Sequence, residues 1–202
     1  MDVFNSIDTK LPYIVYICYQ TDIIFYNCKS NGITSIIKEA HGFTRIINIR
    51  HYLYDKKDII LSASFNSNIK LWKVRTLECF IEITNPIENK LISACLFQDK
   101  KQYLIAMAIH DRNLNVFDMN GKKIKEFQKS AHYGQFFETY FDKKISKNHF
   151  LYCGVEFLES YDYNKGKLYN KYINNMKKNY TYNNFVIHDN GIKTRIIAAL
   201  IK

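Results

Sequence analysis

Asp58 to Val74 reads DIILSASFNSNIKLWKV, and the fold is decided there. Ile59, Ile60 and Leu61 form an apolar run of the length a short buried strand needs. Ser62, Ala63 and Ser64 follow as small residues that let backbones approach closely. Phe65-Asn66-Ser67-Asn68 is turn chemistry, because Asn tolerates left-handed backbone and bonds its own main chain. From Ile69 the chain alternates: Ile69, Leu71 and Lys73 fall on one face, Lys70, Trp72 and Val74 on the other. The stretch predicts two short strands joined by a tight turn.

The same setting recurs on both sides of Trp72. Phe25 ends an apolar run in DIIFY, Phe117 sits in NLNVFD and Tyr161 in LESYD. Taking these as anchors at 25, 72, 117 and 161, the steps are 47, 45 and 44 residues. A fixed period of that size marks a repeat architecture. The turns repeat as well, at Asn31-Gly32, Asn120-Gly121-Lys122 and Asn164-Lys165-Gly166-Lys167, with Arg75-Thr76-Leu77-Glu78 in the second repeat. Each precedes an alternating strand suited to an exposed edge, 33–38, 79–83, 123–127 and 168–172, and all but 79–83 carry Lys. Opening strands are read at 45–51, 91–97, 135–141 and 181–188, and second strands at 13–19, 59–64, 103–109, 149–153 and 195–200.

The units expected are a partial first blade at 1–40, blades at 41–84, 85–129 and 130–174, and two strands of a further blade at 175–202. The first repeat has little room for an innermost strand unless residues 3–8 supply it. The expectation is all-β: four-stranded antiparallel sheets in an open or partial array, three full repeats and two partial ones, forming part of a longer array.

The order small-Ser-small, turn, Ile-x-Leu-Trp resembles the WD repeat, the unit of one β-propeller blade. The resemblance covers roughly residues 13–202. Trp72-Lys73 stands where the family has Trp-Asp, and Ala40-His41 where it has Gly-His. The resemblance implies a buried hydrogen-bond chain among Trp72, Ser62 or Ser64, and His41, with Asn66 in the turn position of the family's Asp. In the third repeat it offers Asp111, six residues before Phe117, without His or Trp; in the fourth, Tyr161 with His132 in the preceding loop. It also implies a non-enzymatic scaffold that binds other proteins, with loops gathered on one face of the arc. Those loops hold Gly42-Phe43-Thr44, Phe65-Asn66, His110–Arg112 and His132-Tyr133-Gly134. Phe43, Phe65, Tyr133 and Arg112 are the candidate contacts, since aromatics and Arg anchor protein interfaces.

The remaining composition narrows the alternatives. Among 202 residues the formal net charge is +10, with a sequence pI near 9.2. Nucleic-acid or phosphoinositide binding through a basic surface is therefore the second reading. Against nucleic acid, the lysines are spread along the chain, no Lys/Arg block forms, and joint enrichment in Lys, Asn, Ile and Tyr is what an AT-rich coding sequence writes. A propeller-fold enzyme is the third reading. There is no Gly-x-Ser-x-Gly elbow and no phosphate-binding Gly loop. His110-Asp111 and His188-Asp189 are better explained as turn residues. The five cysteines and six histidines have neither zinc nor disulfide spacing, so no cofactor or metal is expected. No apolar run approaches eighteen residues, so no membrane span is expected. The N-terminus, MDVFNSIDTK, lacks the pattern of a secretory leader. The expected compartment is the cytoplasm, with the nucleus left open.

Overall fold

The two faces of the Ile69–Val74 alternation are both apolar where they are buried because each meets a different neighbouring sheet. The computed structural model describes residues 1–84, 90–109, 113–128, 134–142, 147–154, 157–173, 181–189 and 194–201. Among them there are strands and turns and no helix.

Blade 1 comprises β1 (Asp2–Asn5), β2 (Pro12–Cys18), β3 (Asp22–Asn27) and β4 (Gly32–Ile37). A short strand, β5 (Ala40–Phe43), leads to blade 2, made of β6 (Ile46–Tyr54), β7 (Lys57–Ser64), β8 (Asn68–Lys73) and β9 (Cys79–Thr84). Blade 3 holds β10 (Leu91–Asp99), β11 (Gln102–Ile109), β12 (Asn113–Asp118) and β13 (Lys123–Gln128). Blade 4 holds β14 (Gly134–Asp142), β15 (Lys147–Gly154), β16 (Phe157–Asp162) and β17 (Lys167–Ile173). β18 (Thr181–Asp189) and β19 (Thr194–Ile201) form a two-stranded sheet. Each four-stranded sheet is an antiparallel meander in chain order. The sheets follow one another as blades of an open propeller.

Two expectations need correction. The first repeat is not partial: Asp2–Asn5 pairs with β2 as an innermost strand. Its entry is driven by Phe4, which is buried against Tyr13 and stacks on the His51 ring at 3.9 Å. Four complete sheets and one two-stranded sheet therefore replace three complete and two partial ones.

The second correction moves the first anchor. Between the third and outer strands a register shift falls immediately before each anchor, at Leu71/Trp72, Val116/Phe117 and Ser160/Tyr161. In blade 1 it falls between Phe25 and Tyr26, so Tyr26 is the counterpart of Trp72. The next residue agrees. Asn27 accepts bonds at Oδ1 from the Lys29 and Ser30 amides (2.8 and 3.2 Å). Asp118 does the same for Asn120 and Lys122 (both 2.9 Å), and Asp162 for Asn164 and Lys165 (2.8 and 3.0 Å). This is how a short polar side chain closes a tight turn. Sequence alone favoured Phe25 because it is the more apolar of two adjacent aromatics.

The core is a series of seams between sheets. Phe4, Val15, Ile23 and Phe25 of blade 1 meet Ile49, Ile60, Trp72 and Val74 of blade 2. Leu61, Ile69 and Leu71 on the other face of blade 2 meet Leu96, Ile105, Met107 and Phe117 of blade 3. Leu114, Val116 and Phe127 then meet Phe150, Tyr152 and Tyr161 of blade 4. Thus Trp72, Phe117 and Tyr161 all point toward the preceding blade. Polar clasps also join the blades, 3 to 4 and 2 to 4. Lys125 donates to the Tyr163 and Asn164 carbonyls beneath the Phe127 and Tyr163 rings, and Arg50 of β6 pairs with Glu138 of β14.

Candidate partner-binding face and its buried anchor

Strand alternation puts Ser62 and Ile60 on the face of β7 that Trp72 occupies on β8. The indole Nε1–H of Trp72 donates to Ser62 Oγ at 2.8 Å. His41 Nε2 lies 2.7 Å from the same oxygen. All three residues are buried. Of the two serines offered by the sequence, Ser62 is the member of this chain. An indole can only donate, so Ser62 Oγ accepts from Trp72 and its own proton is free for His41 Nε2.

Ser64 and Asn66 form a separate group. Ser64 Oγ is 2.5 Å from Asn66 Oδ1 and 3.1 Å from the Asn68 carbonyl, while Asn66 Nδ2 donates to Thr44 Oγ1 at 3.3 Å. The expectation that Asn66 would complete the chain is thus corrected: its amide ties the β7–β8 turn to the loop before β6. His41 Nδ1 is buried with no hydrogen-bond partner among the described residues. Burial and the nearby Lys70 charge lower the His41 pKa to about 4, against the bond to Ser62 that raises it. The imidazole is therefore neutral at physiological pH. A neutral, shielded imidazole bonded to a serine that is itself bound by an indole is an anchor, since no substrate can reach Ser62 Oγ.

The anchor fixes a loop. Gly42 at φ +61° turns the chain, with its amide bonded to the Glu39 carbonyl at 2.7 Å, and Thr44 N–H bonds the His41 carbonyl at 3.3 Å. No atom lies within 4 Å of a Cβ built on Gly42, so its left-handed backbone, not crowding, is what calls for glycine. His41 points in and Phe43 points out, with 92% of Phe43 exposed. The adjacent turn presents Phe65, 44% exposed, whose amide bonds the Arg45 carbonyl at 2.9 Å. Lys90 Nζ sits 5.2 Å from the Phe65 ring centroid. Two aromatics and a lysine thus share a face on loops held by hydrogen bonds. Lys90 was not singled out from the sequence, where it is one lysine among many. Asp111, Arg112 and Tyr133, with His110 and His132, lie outside the described residues.

A second buried polar cluster had no sequence signal beyond an Asp at the head of an apolar run. Asp58 accepts from Ser6 Oγ (2.7 Å) and the Asp8 amide (2.9 Å), and its other oxygen is 2.8 Å from His51 Nε2. Burial raises the carboxyl's pKa, but the donors from Asp8, Ser6 and His51 outweigh it and leave Asp58 below its ordinary value. The carboxylate stands between serine and histidine, so the serine proton faces Asp58 and not the imidazole. That order is wrong for a Ser-His-Asp nucleophile; the cluster staples blade 1 to blade 2. Among the described residues no three His, Cys, Asp or Glu side chains gather as a metal cage requires.

No family model and no curated protein matches the chain. Solved structures do. The crystal structure of BBS1N in complex with ARL6DN, soaked with lead, superposes with a TM-score of 0.66 at 8% sequence identity, over 85% of this chain and 55% of that one. The chain thus spans about half of that neighbour. At such low identity the likeness is one of fold, and the fold is that of a β-propeller.

Proposed function

We propose that this chain is a divergent WD-type propeller segment that binds another protein through the face carrying Phe43 and Phe65. The observation that carries the reading is the contrast within one loop: His41 is locked in the core and Phe43, two residues on, stands in solvent. An exposed aromatic on a backbone turn that hydrogen bonds fix on either side leaves less chain to order on binding, which suits an interface anchor. The Ser62–Trp72 bond and the capping residues after Tyr26, Phe117 and Tyr161 support the WD-type assignment. BBS1N shows a propeller of this shape in a complex with a protein, ARL6DN.

The test is capture of partners from native extract by the parent chain and by Phe43→Ala/Phe65→Ala. The double variant should keep its far-ultraviolet spectrum and lose a partner's affinity by roughly tenfold or more, as for truncated hot spots. If it stays folded and holds every partner equally, the binding face is elsewhere. If binding instead collapses steeply with added salt, the basic-surface reading takes over.

A further inference from the structure

The face that carries Phe43 and Phe65 continues onto blade 1. The β2–β3 turn is the same connection as the β7–β8 turn, one blade earlier. Both turns are tied to the backbone just before β6. Ile46 N–H donates to the Gln20 carbonyl at 2.7 Å, and Phe65 N–H to the Arg45 carbonyl at 2.9 Å. The β2–β3 turn presents Tyr19, which is 87% exposed and belongs to no core cluster. Thr21 N–H closes that turn on the Cys18 carbonyl at 3.2 Å, and Tyr19 and Gln20 take φ of +49° and +67°. Asn and Gly suit such a backbone, and the chain uses them at Asn31-Gly32. Among the described non-glycine residues with positive φ, Tyr19 is the only aromatic. A large ring where folding favours a small residue, and where it covers no core, points to a use outside the fold.

Charge along this row of aromatics is graded. Beside Phe65 stand Arg45, through the backbone bond, and Lys90, over the ring at 5.2 Å. Both are exposed, and neither forms an ion pair among the described residues. The carboxylates lie at the Tyr19 end. Asp22 Oδ1 accepts from Thr21 Oγ1 at 3.2 Å and from the Glu39 amide at 2.9 Å, and Glu39 itself is exposed. We propose that this row takes an acidic, aromatic-bearing or aliphatic-bearing segment of a partner protein. Its carboxylates meet Arg45 and Lys90, and its apolar side chains lie on Phe43 and Tyr19. The proposal rests on the partner-binding reading and names the chemistry of the partner. Single-stranded nucleic acid fits the row less well. Lys90 already takes one face of the Phe65 ring, on which a base would stack, and Asp22 and Glu39 would repel a phosphate chain laid along the row.

The experiment selects binders to the full chain from a displayed random-peptide library and measures them as synthetic peptides by fluorescence anisotropy. The selected sequences should be enriched in Asp and Glu next to aromatic or branched aliphatic residues. Replacing the peptide's Asp and Glu by Asn and Gln should weaken binding by roughly tenfold, and Arg45→Glu/Lys90→Glu should do the same. Tyr19→Asn should weaken binding while holding or raising the urea midpoint, since Asn suits that turn; a purely structural Tyr19 would lower the midpoint. Binders without acidic enrichment, no binders at all, or binders that the folded charge-reversal variant retains would overturn the proposal. Displacement of the peptide by a single-stranded oligothymidine probe would overturn it in favour of nucleic acid. The broader reading is tested separately. A native partner lost by Phe43→Ala/Phe65→Ala but held by Arg45→Glu/Lys90→Glu leaves the binding face standing and removes only its acidic ligand.

Discussion

Blades 2 and 4 solve one problem with opposite chemistry. Both have a large polar-tipped aromatic at the anchor, buried against the preceding blade and needing a partner for its donor. In blade 2 the donor is an indole and the second-strand residue opposite its neighbour is Ser62, so a neutral chain runs to His41. In blade 4 Tyr152 occupies the place of Ser62, and the Tyr161 hydroxyl turns instead to Glu159 on its own strand, at 2.5 Å. Two residues before the anchor, blade 2 has Lys70 facing Glu82 across the outer pair, and blade 4 has Glu159 facing Lys171. The signs are exchanged at one register position. In these two blades the anchor's donor goes with the sign that lies inside, whereas blade 3 has Asn115 opposite Glu126 at this position and blade 1 has Ile24 opposite Ile36. Trp72 is served by a hydroxyl and tolerates Lys70 over its ring; Tyr161 needs an acceptor, and Glu159 supplies one.

The largest expected effect separates the two anchors. Trp72→Ala removes the largest side chain of the blade 1–blade 2 seam and leaves Ser62 Oγ with only its bond to His41, so it should cost about 3–5 kcal/mol in urea unfolding followed by circular dichroism. Tyr161→Phe keeps the ring and removes one hydrogen bond, for about 1–2 kcal/mol. Equal losses would mean that the anchors are held by ring packing alone and the polar chains add nothing.

The second effect is acid sensitivity confined to blade 2. His41 titrates near 4 in the folded chain and at its ordinary 6.5 when unfolded. Between those values the unfolded state binds the extra proton, so stability falls as pH drops from 6.5 to 4 and is fully present above 6.5. The loss amounts to roughly 3 kcal/mol. Asp58 acts in a separate window: its folded carboxyl lies below the ordinary value, so its contribution is lost only as pH falls below about 3.8. Unfolding midpoints across this range should show the upper step in the parent and lose it in His41→Gln. A step that survives the substitution would have to come from another group.

The sheet pattern was legible because it is written in local terms: apolar alternation, Asn-Gly turns and an aromatic every 44 to 47 residues. Ser62, His41 and Trp72 could be named because they belong to one stretch and one offset. Three things were not local. Asp2–Asn5 becomes a strand only because Phe4 finds His51, which lies in blade 2. Tyr26 outranks Phe25 only once the register shift on β4 is seen. Asp58 gains its role from Ser6 and Asp8, about fifty residues earlier in the chain. In each case the deciding partner lies across a sheet or a seam, where neither period nor turn chemistry points.

The smallest effect tests the turn after the anchor. Asp162 accepts two backbone amides at Oδ1, and Lys147 reaches Oδ2 at 3.4 Å. Burial pushes its carboxyl pKa up, but the Lys165 and Asn164 amides and Lys147 together hold it below the ordinary value. That turn also requires Gly166 at φ +66°, where an added Cβ would sit 3.2 Å from the Phe127 ring, so the chain there cannot easily adopt another course. At the same position blade 2 carries Lys73, which contributes only an exposed pair with Glu78 at 3.2 Å while the backbone closes the turn through Lys73 N–H to the Glu78 carbonyl. Asp162→Ala should therefore cost about 1–2 kcal/mol, the usual loss for a capping carboxylate whose amides are left unmet. Lys73→Ala should cost no more than about 0.5 kcal/mol, because exposed ion pairs contribute little. Urea midpoints for the two variants decide it. Near-equal costs would show that the side chain after the anchor is incidental to the turn, and that the Asp at this place in blades 3 and 4 has another purpose.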